Sequence, residues 1–125
     1  MVQVPIIRIG TTLIVTPQEA IHDRAAFDLQ NQITAAIERT EARGLILDIT
    51  ALDLVDSFLG RMLNDIAAMA RLMGTQTVLV GIQPAVAITL TELGLQLKDI
   101  HTAVNVEMAL RRLSPRSSDV IYNGL

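Results

Sequence analysis

Short aliphatic runs alternate along this chain with longer stretches in which apolar residues recur every three to four positions. The runs predict strands and the longer stretches predict helices, because side chains alternate across a strand but return to one face of a helix after about 3.6 residues. Pro5-Ile6-Ile7-Arg8-Ile9 and Thr12-Leu13-Ile14-Val15-Thr16 are separated by Gly10-Thr11, a two-residue hairpin turn. Pro5 and Pro17 bracket the pair, and Pro5, which donates no ladder hydrogen bond, places the first strand at a sheet edge. Asp23 then caps a helix with Ala26, Leu29, Ile33, Ala36, Ile37 and Thr40 at helical spacing, Arg43 in its last turn and Gly44 as its stop.

From Gly44 to Ile49 there is almost no alternation, as in a strand covered on both faces, and Asp48 falls near its carboxyl end. Leu52 to Arg61 join this strand to a helix whose apolar stripe is Phe58, Leu59, Met62, Leu63, Ile66, Met69, Ala70 and Met73. Its other face carries Ser57, Arg61, Asn64, Asp65, Ala68 and Arg71, so Ser57 belongs to the solvent side, either capping the first turn or facing a partner. Gly74 ends the helix and Thr77 to Gly81 form the next strand. Gln83-Pro84 opens a third helix that Gly94 closes, Ile100 to Ala103 make a weaker strand, and Asn105 caps a last helix, Val106 to Leu113. The folded domain is expected to span residues 1–113, with 114–125 a tail, flexible or docked on a partner.

Strands alternating with helices predict an α/β fold: a mixed, mostly parallel sheet with an N-terminal β-hairpin and about four helices. Sites in such sheets gather at the carboxyl ends of the strands. Asp23, Asp48, Asp53, Asp56, Ser57 and Gln83 are thereby expected on one rim.

Charge and composition narrow what that rim does. The 10 basic and 13 acidic residues give a net charge of -3, with no broad positive face for nucleic acid. There is no cysteine, which removes disulfides, thiolate zinc sites and a cysteine nucleophile and fits a cytoplasmic location. Neither a leader peptide nor a membrane span is expected: Arg8 and Gly10-Thr11 interrupt the start, and the longest apolar region, Val78 to Leu90, is broken by Gln83-Pro84. Half the chain is apolar, so some apolar surface is expected to meet other subunits or a partner, although an aliphatic core alone also accounts for it.

No catalytic constellation emerges, so no enzyme and no cofactor are expected. Asp48, Asp53 and Asp56 have the hard oxygen donors of a magnesium site, but carboxylates here serve equally as turn and helix caps, the reading preferred. Ser57 lacks a Gly-x-Ser-x-Gly frame, and the histidines are His22, in a rim loop, and His101. A single Gly81 before Pro84 is not a phosphate loop.

The ββαβαβα order with Asp56-Ser57-Phe58-Leu59-Gly60 at the start of the second helix resembles the STAS domain of anti-anti-sigma factors. Ile49-Thr50, Val55 to Phe58, Met69 to Gly74, Val80 to Ala87 and Glu92-Leu93-Gly94 resemble the RsbS branch, the minimal STAS scaffold of the stressosome. Phe58-Leu59 stand before Gly60 where the simplest anti-anti-sigma factors place a second small residue and glycine. The resemblance implies a single STAS domain in a large cytoplasmic assembly with RsbR-type paralogues, holding an RsbT-type serine kinase that phosphorylates Ser57 and is then released to act on a downstream regulator. A partner surface of Asp23, Asp53, Asp56, Phe58, Arg61 and Gln83 is expected, and no metal, nucleic acid or membrane. A free-standing anti-anti-sigma factor binding an anti-sigma kinase, and a nucleotide-binding STAS module near Gln83, are the competing readings.

Overall fold

Gly10, at φ 59°, turns the chain back so that β1 (Ile6–Ile9) pairs antiparallel with β2 (Thr12–Val15). β2 is then joined in parallel, one strand at a time, by β3 (Gly44–Asp48), β4 (Gln76–Val80) and β5 (Ile100–Ala103), in the order β1-β2-β3-β4-β5. This computed structural model describes residues 4–18, 23–52, 57–94 and 100–113. The expected tail, 114–125, lies outside the described residues.

Since each parallel step moves the chain one strand further in the same direction, right-handed crossovers put all three connecting helices on one face of the sheet. Those helices are α1 (Asp23–Thr40), α2 (Ser57–Leu72) and α3 (Pro84–Glu92). Leu13, Val15, Leu45, Leu47 and Leu79 from the strands form one cluster with Leu29 and Ile33 of α1, Leu63 and Ile66 of α2, and Val86 and Leu90 of α3. The alternate strand residues Ile14, Ile46, Val78 and Val80 point the other way and meet α4 (Val106–Leu113) through Ala109. β3 therefore lacks a polar face because both its faces are covered. Burying a side chain such as Ile46 or Leu45, each 0% exposed, contributes roughly 1.5–3 kcal/mol.

The element order matches the sequence pattern, with β1 at the edge as Pro5 indicates. One boundary differs. α1 stops at Thr40, through Glu41 at φ 53°, and neither Arg43 nor Gly44 belongs to it. The backbone N–H groups of Arg43 and Gly44 both donate to the Thr11 carbonyl, so the chain has already entered the sheet when it reaches Gly44. Met73, assigned by periodicity to the apolar stripe of α2, is exposed beyond the helix end, and Leu72 is 91% exposed.

Candidate functional site

The parallel strands β2 to β5 all end on one edge, and the connections from β3 and β4 meet there. Asp48, the last residue of β3, accepts hydrogen bonds at Oδ1 from the Thr50 backbone N–H, 3.0 Å, and from the Thr50 hydroxyl, 2.5 Å. This is an Asx turn, the local role expected of a short carboxylate where a strand ends. Across the edge, Gln83 Nε2 donates to the Thr50 carbonyl at 2.7 Å. The adjacency of these two loops, inferred from topology, is thus present as a direct bond.

Ser57 is the first residue of α2 and is half-buried. Arg61, one turn on and exposed, folds back over it, donating from Nη2 to the Ser57 hydroxyl oxygen at 3.2 Å and from Nε to the Ser57 carbonyl at 3.2 Å. The i, i+4 spacing that brings these residues together was legible in the sequence. The serine oxygen thus lies beside a fixed positive charge and near the positive end of the helix dipole, an environment suited to acquired negative charge.

Phe58 and Arg61 also line a groove of about 370 Å³ between the first turns of α1 and α2, closed by Ala26, Phe27, Gln30, Met62 and Asp65. Phe27, 67% exposed, stands on its rim and is a residue that sequence reasoning missed. The clue is that Phe27 falls outside the Ala26-Leu29-Ile33 stripe, leaving a large aromatic ring on the solvent side of α1. Gln83 is brought to Thr50 rather than to Ser57. Asp53 and Asp56 lie outside the described residues, as does the side chain of Asp23, whose backbone opens α1. His22 lies outside them too, while His101 sits on β5, where Arg112 Nη2 donates to its Nδ1 at 2.7 Å. Among the described residues no group of three or more His, Cys, Asp or Glu could hold a metal ion, and no helix is long and apolar enough to cross a membrane.

This sheet order, helix placement and half-buried serine at the start of α2 correspond to one family, and the STAS domain profile matches residues 3–109. The chain belongs to the STAS domain family. It is 38% identical to a serine-to-glutamate variant of Moorella thermoacetica RsbS, with a TM-score of 0.78 over 90% of this chain and 95% of that one. A chain from the molecular architecture of the stressosome, a signal integration and transduction hub, is 40% identical, with a TM-score of 0.77 over 87% of this chain and 95% of that one. The RsbT co-antagonist protein RsbRB of Bacillus subtilis (strain 168) is 28% identical over 88 residues, which is 70% of this chain and 31% of that protein. The chain therefore spans about a third of the length of that curated relative.

Proposed function

We propose that this protein is a stressosome scaffold and negative regulator that sequesters an RsbT-type serine/threonine kinase and is phosphorylated by it on Ser57. The observation that carries the reading is the serine at the start of α2, with Arg61 against its hydroxyl, in a chain 38% identical to an RsbS protein over nearly that protein's full length. Likeness to a stressosome chain and to an RsbT co-antagonist supports assembly with RsbR-type paralogues.

The chemistry assigns this chain the role of substrate. The Ser57 Oγ attacks the γ-phosphorus of ATP held by the kinase, its proton passes to a base on the kinase, and ADP leaves. The product carries about 1.5 to 2 added negative charges. Arg61 and the amino end of α2 accommodate that charge within this protein. A kinase surface fitted to a neutral hydroxyl, with Asp53 and Asp56 close by in sequence, meets repulsion instead and is released. The groove at Phe27, Phe58 and Arg61 supplies apolar contact next to the modified atom, and Asp23, Asp53 and Asp56 are the further residues proposed to meet the partner.

Incubation with ATP and the kinase, followed by peptide mass spectrometry, tests the reading. One phosphate on Ser57 is expected, and Ser57→Ala should keep the assembly and kinase binding but block stress-induced release. Normal release from the Ser57→Ala complex would sink the mechanism. Light scattering separates the competing reading: a large particle with an RsbR-type paralogue fits the scaffold, and a monomer or dimer in its presence fits a free-standing anti-anti-sigma factor.

A further inference from the structure

Gln83 stands at the N-cap of α3 with φ -71° and ψ 149°, but its side chain makes no capping hydrogen bond to its own helix. Short side chains such as serine or aspartate are the ones that reach back to a helix's free N–H groups. The longer Gln83 amide extends away from α3 to the Thr50 carbonyl at 2.7 Å. Thr50 is held from the other side by Asp48, through its N–H and its hydroxyl. Behind it Gly81, at φ 75°, lies so close that a Cβ there would collide with the Thr50 side chain. The last ladder bond of this region, from the Ile49 N–H to the Val80 carbonyl, is 2.9 Å, and Leu52, 2% exposed, plugs into the core just beyond. The chain leaving β3 toward Ser57 is thus fastened at one edge by β3 itself and at the other by the start of α3.

We infer that Gln83 and Thr50 form a latch between the two loops, and that Gln83 is a positioning residue for the modification of Ser57. The inference rests on the proposed phosphorylation of Ser57 and assigns Gln83 a different task from partner contact. Phosphoryl transfer depends on holding the attacking oxygen in line with the phosphate, so fixing the Thr50 turn, from which the chain runs on to Ser57, raises the fraction of encounters that react. A latch rooted in α3 also ties that order to the placement of a neighbouring helix.

Three variants separate the possibilities. Gln83→Leu keeps the bulk and removes the donor, Gln83→Glu sets a carboxylate against the Thr50 carbonyl, and Gln83→Lys keeps a donor. In the isolated full chain, Gln83→Leu and Gln83→Glu should speed amide hydrogen exchange between Ile49 and Leu52 by about tenfold, the loss of one local hydrogen bond, without altering exchange in β3 or α1. With the kinase and ATP, the same two variants should lower kcat for Ser57 phosphorylation by roughly fivefold with KM unchanged, while Gln83→Lys follows the wild type in both assays. Unchanged exchange in Gln83→Leu overturns the latch, and a raised KM with unchanged exchange returns Gln83 to direct partner contact. Faster exchange with unchanged kcat overturns the positioning role. If wild-type Ser57 takes no phosphate, the proposed function fails, while the exchange measurement alone still decides whether the latch exists.

Discussion

Arg61 does two things with one side chain, and they can be pulled apart. It forms part of the wall of the α1/α2 groove and it donates to the Ser57 hydroxyl. In the unmodified protein this is a surface hydrogen bond between an exposed arginine and a neutral oxygen, so Arg61→Ala should cost about 0.5 kcal/mol or less. A phosphate on Ser57 changes the comparison, because a charge-assisted pair is roughly twice as strong as a neutral one and the helix amino terminus adds to it. The change in stability on phosphorylation should therefore be about 1 kcal/mol less favourable in Arg61→Ala than in the wild type. At this chain length that is a difference of roughly 3–6 °C in the Tm shift on phosphorylation. Thermal denaturation of the four species, with and without phosphate, measures the difference, and equal Tm shifts would remove Arg61 from the phosphate's surroundings. Ser57 and Arg61 were both legible because helical periodicity fixes which residues share a face. Phe27 was legible only as an aromatic outside the Ala26-Leu29-Ile33 stripe; that it borders a groove shows only once α1 lies beside α2 and leaves a gap between their first turns.

At the level of elements, the hairpin, the buried β3 and the Asn105 cap could be read from local chemistry alone. The Asn105 Oδ1 accepts the Met108 N–H at 2.9 Å, as a cap at that position requires. Gly44 shows where local reading stops. Glycine after a helical run is the usual stop, but here the chain ends α1 at a non-glycine residue and keeps the glycine for a tight approach between layers. A Cβ on Gly44 would lie 2.9 Å from the Thr12 Oγ1 and 3.0 Å from a Leu113 methyl, which puts the end of α4 directly over the start of β3. No local pattern announces a contact between residues so far apart in sequence. Gly44→Ala should accordingly destabilise the fold by about 1–3 kcal/mol through overpacking. Combined with Leu113→Ala, which clears one of the two obstacles, the losses should fall short of additive by at least about 0.5 kcal/mol. Denaturant unfolding of the two single variants and the double variant closes that cycle. Strict additivity would mean that Gly44 acts only through its backbone.

The whole molecule is lopsided. One face of the sheet carries α1, α2 and α3, and α2 alone buries Leu59, Gly60, Met62, Leu63, Ile66, Ala67 and Ala70. Among the described residues the opposite face is held by the eight-residue α4, in which Ala109 is the buried residue and Val106, Leu110 and Leu113 are partly covered. α4 has local support from the Asn105 cap and the exposed Glu107–Arg111 pair at 2.6 Å, each a modest contribution at a surface. Local opening is least costly where few apolar contacts must be broken, so α4 should detach while the sheet and the helices behind it stay folded. That motion would uncover Ile46, Val78 and Val80 on the face away from α1 and α2 without disturbing the α2 turn that bears Ser57. Native-state hydrogen exchange should therefore show amides of α4 exchanging at least about 100-fold faster than those of β3 and of the middle of α2. Equal protection would mean that both layers open only together, and that the small face contributes as much to cooperativity as the large one. Unequal protection would separate the molecule into a rigid half that presents the serine and a labile half that exposes sheet surface independently of it.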